Sequence, residues 1–272
     1  MGKLIVFWTP FAGRCGCTAS MGAVVTAMAL RYPELEMAIC HMQMGSMELI
    51  NRLESRTVKP ENREAYERMG LNALALNYMQ SELTAEKIKR CAVQLRLKSL
   101  YLYPAVGKKE NIEEIYDALL NEKLKEEFDM VFVDLEAGRT ARSLGYLKKA
   151  EVIVLVLPQD DFCWQLYEEE YKKEMEGKEV CIVLGKYRCD SRFTQSYFKK
   201  KQHRAGGKII GTVPECTGYM DAMAEGRTLE FFLKNQMVGK KETNYEFMEQ
   251  TRQSAEKLKQ YMDEQGQKLR FF

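Results

Sequence analysis

The sequence predicts an α/β fold: a doubly wound, mostly parallel sheet in three layers, with helices on both faces. Three observations lead there. Short β-branched apolar runs alternate with longer stretches of helical period. Runs such as Val131-Phe132-Val133 and Val152-Ile153-Val154-Leu155-Val156-Leu157 are apolar at every position, as a strand covered on both faces requires. No internal repeat, low-complexity tract or Gly/Ser linker interrupts the alternation over 272 residues, so one main domain with right-handed crossovers is expected.

In chain order, strands are expected at 3–8, 35–41, 99–103, 130–135, 151–157, 179–184 and 208–212, each a short apolar run. Helices are expected between them at 18–31, 46–54, 61–79, 84–95, 111–127, 142–150, 162–176 and 191–203. The first helix is built from small and apolar residues. Residues 55–97 hold more helix than one crossover needs, which suits a small cap over a sheet edge. The domain is expected to span 1–238. Residues 239–272 form a charged amphipathic helical tail, with Tyr245, Phe247, Met248, Leu258, Tyr261 and Met262 spaced at three to four and packed on the body. Its closing Leu269-Arg270-Phe271-Phe272 is a candidate for peripheral membrane contact, although the polar face carries both charge signs.

Composition excludes several classes. Hydrophobic residues make up 46% and charged residues 29%, as in a folded globular protein. Forty-one basic against thirty-nine acidic side chains give a net charge of +2, which offers no electrostatic drive toward nucleic acid. The apolar run from Met21 to Leu30 is far short of the roughly 20 residues of a membrane span. The N-terminus has no secretory pattern. The eight cysteines are scattered through apolar positions, which fits reduced thiols and a cytoplasmic location.

The strongest local signal follows the first strand. Thr9-Pro10-Phe11-Ala12-Gly13-Arg14-Cys15-Gly16-Cys17-Thr18-Ala19 leads into a helix. Strand, glycine-bearing loop and helix start together gather backbone N–H groups and the helix dipole, which suits a phosphate. Set against GxxxxGK(S/T), Gly16 is kept and Thr18 stands where a hydroxyl would meet Mg²⁺, but Cys17 replaces the lysine.

Four further stretches keep their order along the chain. They are Ile39-Cys40-His41-Met42-Gln43-Met44-Gly45-Ser46; Phe128-Asp129-Met130-Val131-Phe132-Val133-Asp134-Leu135-Glu136-Ala137-Gly138; the run from Leu147 to Pro158; and Gly211-Thr212-Val213-Pro214-Glu215 followed by Ala222 and Gly226. With the loop, these motifs resemble the MinD/ParA group of deviant-Walker P-loop ATPases over about residues 3–233. Within that group the chain most resembles the pilus-assembly branch, TadZ/CpaE, of which it would be the ATPase-like domain alone.

The resemblance implies a P-loop fold, ATP and Mg²⁺ as ligands, and a homodimer with the nucleotide between two copies. Met42, Met44 and Met47 fall where such dimers form. It also implies protein partners in a pilus or secretion apparatus. Nucleotide would be held by Gly13, Arg14, Cys15, Gly16, Cys17, Thr18, Ala19, Gly185, Lys186, Val213 and Pro214, and Mg²⁺ by Thr18 and Asp134. Relatives that ride on DNA need a basic surface, which this charge balance does not supply.

The departures bear on chemistry. The two lysines of the family loop are Ala12 and Cys17 here, acidic positions of the second strand are Ile39 and His41, and the base-contacting asparagine is Gly185. Phosphoryl transfer rests on charge compensation, so the expectation is a dimerising localisation factor that binds nucleotide with weak or no hydrolysis. Two alternatives stay open: an active ATPase using Arg14 or a partner-supplied charge, and a nucleotide-free scaffold. The cysteines read first as small buried hydrophobes; a metal or redox reading of Cys15 and Cys17, with Cys40 and His41 nearby, is the lesser alternative, from the lowered pKa of thiols at a helix N-terminus. Only His41 and His203 exist, and no G-x-S-x-G elbow occurs, so a hydrolase triad finds no support. The basic run Lys199-Lys200-Lys201-Gln202-His203-Arg204, with Lys186 and Arg188, is a candidate patch for an acidic partner.

Overall fold

The computed structural model describes residues 1–42, 48–54, 69–80, 83–105 and 113–268. The expected helix starts at 46 and 61, Met44, Met47 and the closing 269–272 lie outside the described residues.

Among the described residues the sheet has eight strands: β1 (Lys3–Trp8), β2 (Met37–His41), β3 (Val93–Gln94), β4 (Leu100–Pro104), β5 (Met130–Asp134), β6 (Val152–Leu157), β7 (Val180–Tyr187) and β8 (Lys208–Pro214). Their order is β3-β4-β2-β5-β1-β6-β7-β8, parallel throughout except for the β3–β4 pair. β2, β5 and β6 are buried at every position, so both faces are covered. The β1–β5 and β2–β5 registers set Phe7 and His41 on either side of Asp134.

The helices are α1 (Cys17–Arg31), α2 (Glu48–Leu53), α3 (Gly70–Gln80), α4 (Ala85–Cys91), α5 (Glu113–Ala118), α6 (Ala141–Lys149), α7 (Asp161–Leu166), α8 (Gln195–Lys199), α9 (Thr217–Ala224), α10 (Thr228–Lys234) and α11 (Tyr245–Lys268). α5 continues through a π turn (Leu119–Lys123) into Leu124–Glu127, and α7 through a π turn (Tyr167–Tyr171) into a 3-10 turn (Lys172–Met175). α1 buries eleven of its fifteen residues, because small side chains let it lie against strands and helices at once.

The sequence expectation needs correction at several places. The helix placed at 84–95 ends at Cys91, and Val93–Gln94 turns back as an antiparallel strand. The helix expected at 191–203 shrinks to Gln195–Lys199, capped by the Thr194 hydroxyl. β7 continues past 184 to Tyr187, and α9 and α10 appear where no helix was expected.

α11 packs along α1 and β8, burying Phe247, Ala255, Leu258 and Met262. Ser254 Oγ accepts from the Thr212 N–H at 2.9 Å and donates to the Thr212 carbonyl at 2.8 Å. This approach needs Gly211: a Cβ there would lie 1.9 Å from Ser254 Oγ and 2.9 Å from its Cα. Gly211→Val should therefore lower stability by about 3 kcal/mol, the upper range for overpacking a tight contact, read as a fall in the urea midpoint. An unchanged midpoint would contradict the helix–strand contact.

Candidate nucleotide site

The loop after β1 is braced from within. Thr9, almost fully buried, donates through Oγ1 to Cys15 Sγ at 3.1 Å and accepts from the Phe11 N–H at 3.3 Å. Gly13 (φ 72°) and Gly16 (φ 62°) adopt the left-handed conformation that glycine enters without strain. Gly16 is the N-cap of α1. No side chain caps that end and no acid occupies its first turn, so its N–H groups and the positive end of the dipole suit an anion.

The thiols of the loop are not activated. Burial pushes Cys15 up to about 12 and raises Cys17 well above the ordinary thiol range, with Asp134 adding to the second shift. Burial raises Cys40 as well. Desolvation outweighs the helix-terminus effect on which the thiolate expectation rested. Among the described residues no group of three or more His, Cys, Asp or Glu side chains is arranged to hold a metal.

At the end of β5, Asp134 meets two partners. Thr18 Oγ1 donates to Asp134 Oδ2 at 2.9 Å, and His41 Nδ1 lies 2.9 Å from the same oxygen. His41 and Asp134 are 0% exposed, and His41 Nε2 has no hydrogen-bond partner. A hydroxyl and a carboxylate side by side at the helix start are oxygen donors of the kind Mg²⁺ takes alongside nucleotide phosphates, and Thr18 donates its proton rather than its lone pairs. The residues thus fit the cation, with His41 in place of a second carboxylate.

Over this corner opens a cleft of about 690 Å³, within the range of small-ligand sites. Of the residues expected to hold nucleotide, Gly13, Gly16, Cys17, Thr18, Ala19, Lys186, Val213 and Pro214 line it. Arg14, Cys15 and Gly185 do not. Arg14 Nη1 sits 3.5 Å from Cys163 Sγ, and Cys15 points into the loop. Gly185 supports the loop from behind: a Cβ on it would lie 2.1 Å from the Cys15 carbonyl oxygen. Lys186, within β7 rather than beyond it, has φ 49° and donates to the Gly13 carbonyl at 3.2 Å.

No family model matches the chain, and no curated protein matches it in sequence. Solved structures do match in three dimensions. MinD, the cell-division ATPase of Pyrococcus furiosus, superposes with a TM-score of 0.68 over 96% of this chain and 99% of that one, at 16% identity. The fold is that of the MinD/ParA-type ATPases. A ParA family ATPase from Chlorobium tepidum TLS gives 0.64 over 91% of this chain and 97% of its own, at 15% identity. The septum site-determining protein MinD of Pyrococcus horikoshii, complexed with Mg-ADP, gives 0.58 over 95% and 96%, at 14% identity. Identities this low speak for the fold alone.

In this MinD/ParA-type fold the cleft has walls that motif reading does not supply. Arg52 of α2 and Tyr219 and Met220 of α9 line it, together with Glu136 and Glu215. The Tyr219 hydroxyl donates to the Ala19 carbonyl at 2.8 Å, joining α9 to the first turn of α1. Glu215 follows Val213-Pro214 directly, a signal available in the sequence. Arg52 carries none: it falls in the helix expected at 46–54, but no motif singles it out. The basic run near 199–204 is partly neutralised: Lys201 pairs with Asp161, and Arg204 lies 3.9 Å from Glu168.

Proposed function

We propose that the chain binds ATP with Mg²⁺ in this cleft and acts as a partition- or localisation-type switch with weak or no hydrolysis. The observation that carries the reading is the uncapped start of α1 opening into a 690 Å³ cleft beside the Thr18–Asp134 pair. The loop N–H groups would take the phosphates, and the base would lie toward Val213, Pro214 and Tyr219. Thr18 and Asp134 would hold Mg²⁺, which neutralises phosphate charge when bound. Cys17 offers a neutral thiol where a lysine would compensate the charge developing in phosphoryl transfer, so turnover is expected to be slow or absent.

The finer parts of the proposal are a homodimer, a role in a pilus or secretion apparatus of the TadZ/CpaE kind, and a cytoplasmic location with peripheral membrane contact. They are supported by the sequence resemblance. Among the described residues no helix is long and apolar enough to cross a membrane. The alternative of an ATPase charged by Arg14 is weakened by the position of that side chain against Cys163.

ATP titration with and without Mg²⁺, followed by a turnover assay, tests the reading. Micromolar to millimolar binding without turnover supports it. Binding with turnover favours the working ATPase, and no binding at millimolar ATP leaves the scaffold. Thr18→Ala should weaken Mg-ATP binding about tenfold, in the range for a lost charge-assisted contact, while leaving Mg-free binding nearly unchanged. Equal loss with and without Mg²⁺ would count against Thr18 as a cation ligand.

A further inference from the structure

We propose that Lys186 supplies, from β7 of the same chain, the phosphate-facing positive charge that the loop itself lacks at Ala12 and Cys17. The proposal rests on the nucleotide reading above and names the group that makes it work.

Two coupled features place this ammonium. Gly185 has no side chain, so the end of β7 closes onto the loop until any Cβ would meet the Cys15 carbonyl oxygen at 2.1 Å, Val156 Cγ1 at 2.8 Å and Ser20 Oγ at 3.0 Å. The next residue is then turned left-handed, and Lys186 is the one non-glycine residue with positive φ among those described. A lysine gains nothing locally from that conformation, and strained backbone of this kind gathers at functional sites. Its effect is to lay the side chain across Gly16, with Cε and Cγ 3.3 and 3.4 Å from where a Cβ would be, and to bring Nζ to the Gly13 carbonyl.

The ammonium is exposed in the cleft and forms no ion pair with any described carboxylate. A backbone carbonyl is a weak partner for a full positive charge, and phosphate oxygens would bind it more strongly. Arg52, the other cation lining the cleft among the described residues, lies beside Tyr219, and Glu136 and Glu215 add negative charge to the same walls. With Arg14 turned to Cys163, Lys186 is the cation of the cleft lining that donates to the phosphate loop. Because it comes in cis, this charge serves phosphate binding without a lysine from a second subunit, while the position of Cys17 still lacks the charge that phosphoryl transfer needs.

The test is calorimetric titration of the full chain with adenosine, ADP and ATP, comparing the wild type with Lys186→Gln, Lys186→Arg and Lys186→Asn. Asparagine tolerates a left-handed φ, so that variant keeps the test informative if glutamine impairs folding. Loss of the charge should lower ATP and ADP affinity at least tenfold and adenosine affinity less than twofold, with arginine restoring most of it. The wild-type affinity for ATP should also fall more steeply with salt than that of the asparagine variant. Equal losses for adenosine and ATP would reduce Lys186 to a brace for the loop and overturn the proposal, as would unchanged ATP affinity. A wild type that binds no nucleotide would remove the proposal and the nucleotide reading together, whereas wild-type binding with an indifferent Lys186 removes the proposal alone.

Discussion

Replacing Gly185 by asparagine, the residue expected there from the resemblance, should abolish nucleotide binding rather than improve it. The obstacle is space. Even the first carbon of the new side chain would sit 2.1 Å from a backbone oxygen of the loop and 2.8 Å from Val156, neither of which can rotate away as a flexible side chain would. Either the loop or β7 must withdraw, and both carry the site: Gly13 and Gly16 on one side, Lys186 on the other. The cost in stability should be about 3 kcal/mol, at the upper end for overpacking a rigid contact. It is measured as a lowered urea midpoint at constant slope, with loss of the ATP titration signal. A Gly185→Asn protein of wild-type stability and affinity would show that the loop is not fixed by this contact.

Asp134→Ala should be comparably severe for a different reason. Asp134 and His41 are wholly buried and share one hydrogen bond, to which Thr18 adds a second. Removing the carboxylate leaves an imidazole in the sheet with neither nitrogen satisfied. Breaking one side of a buried pair costs about 3–5 kcal/mol, while exchanging both partners for apolar residues of similar size is often near neutral. The double variant His41→Leu/Asp134→Leu should therefore recover much of the stability lost in Asp134→Ala. Neither protein should show Mg²⁺-dependent ATP binding. If the single variant unfolds at the wild-type midpoint, the pair adds nothing to the fold. If its ATP affinity still rises with Mg²⁺, Asp134 is not a cation ligand.

What the sequence made legible, and what it hid, follows physical lines. The central strands announce themselves because burial on both faces demands unbroken apolar runs, as in Val152–Leu157. Thr18 and Asp134 could be paired in advance because a hydroxyl at a helix start and a carboxylate at a strand end are parts of a known motif. Val93–Gln94 could not be seen, since two residues set no period. The plainer reading of Cys15 and Cys17 as small buried residues holds, and burial removes the basis of the redox alternative, which a helix terminus visible in the sequence had kept open. Lys186 was named through the resemblance, but its reach back to the loop was not legible. Its position depends on a missing Cβ at Gly185 and on one left-handed φ, and neither leaves a trace in hydrophobic spacing.

The paired hydrogen bonds between Ser254 and Thr212 have a consequence for how copies of the molecule can meet. Both backbone groups of Thr212 point outward from the last strand of the sheet, where an incoming chain would otherwise find a template. One hydroxyl occupies donor and acceptor alike, and α11 lies across the rim. At the opposite rim stands a strand of only two residues, too short to guide another. At neither described border does the sheet offer a long open strand at these positions for an incoming chain to pair with.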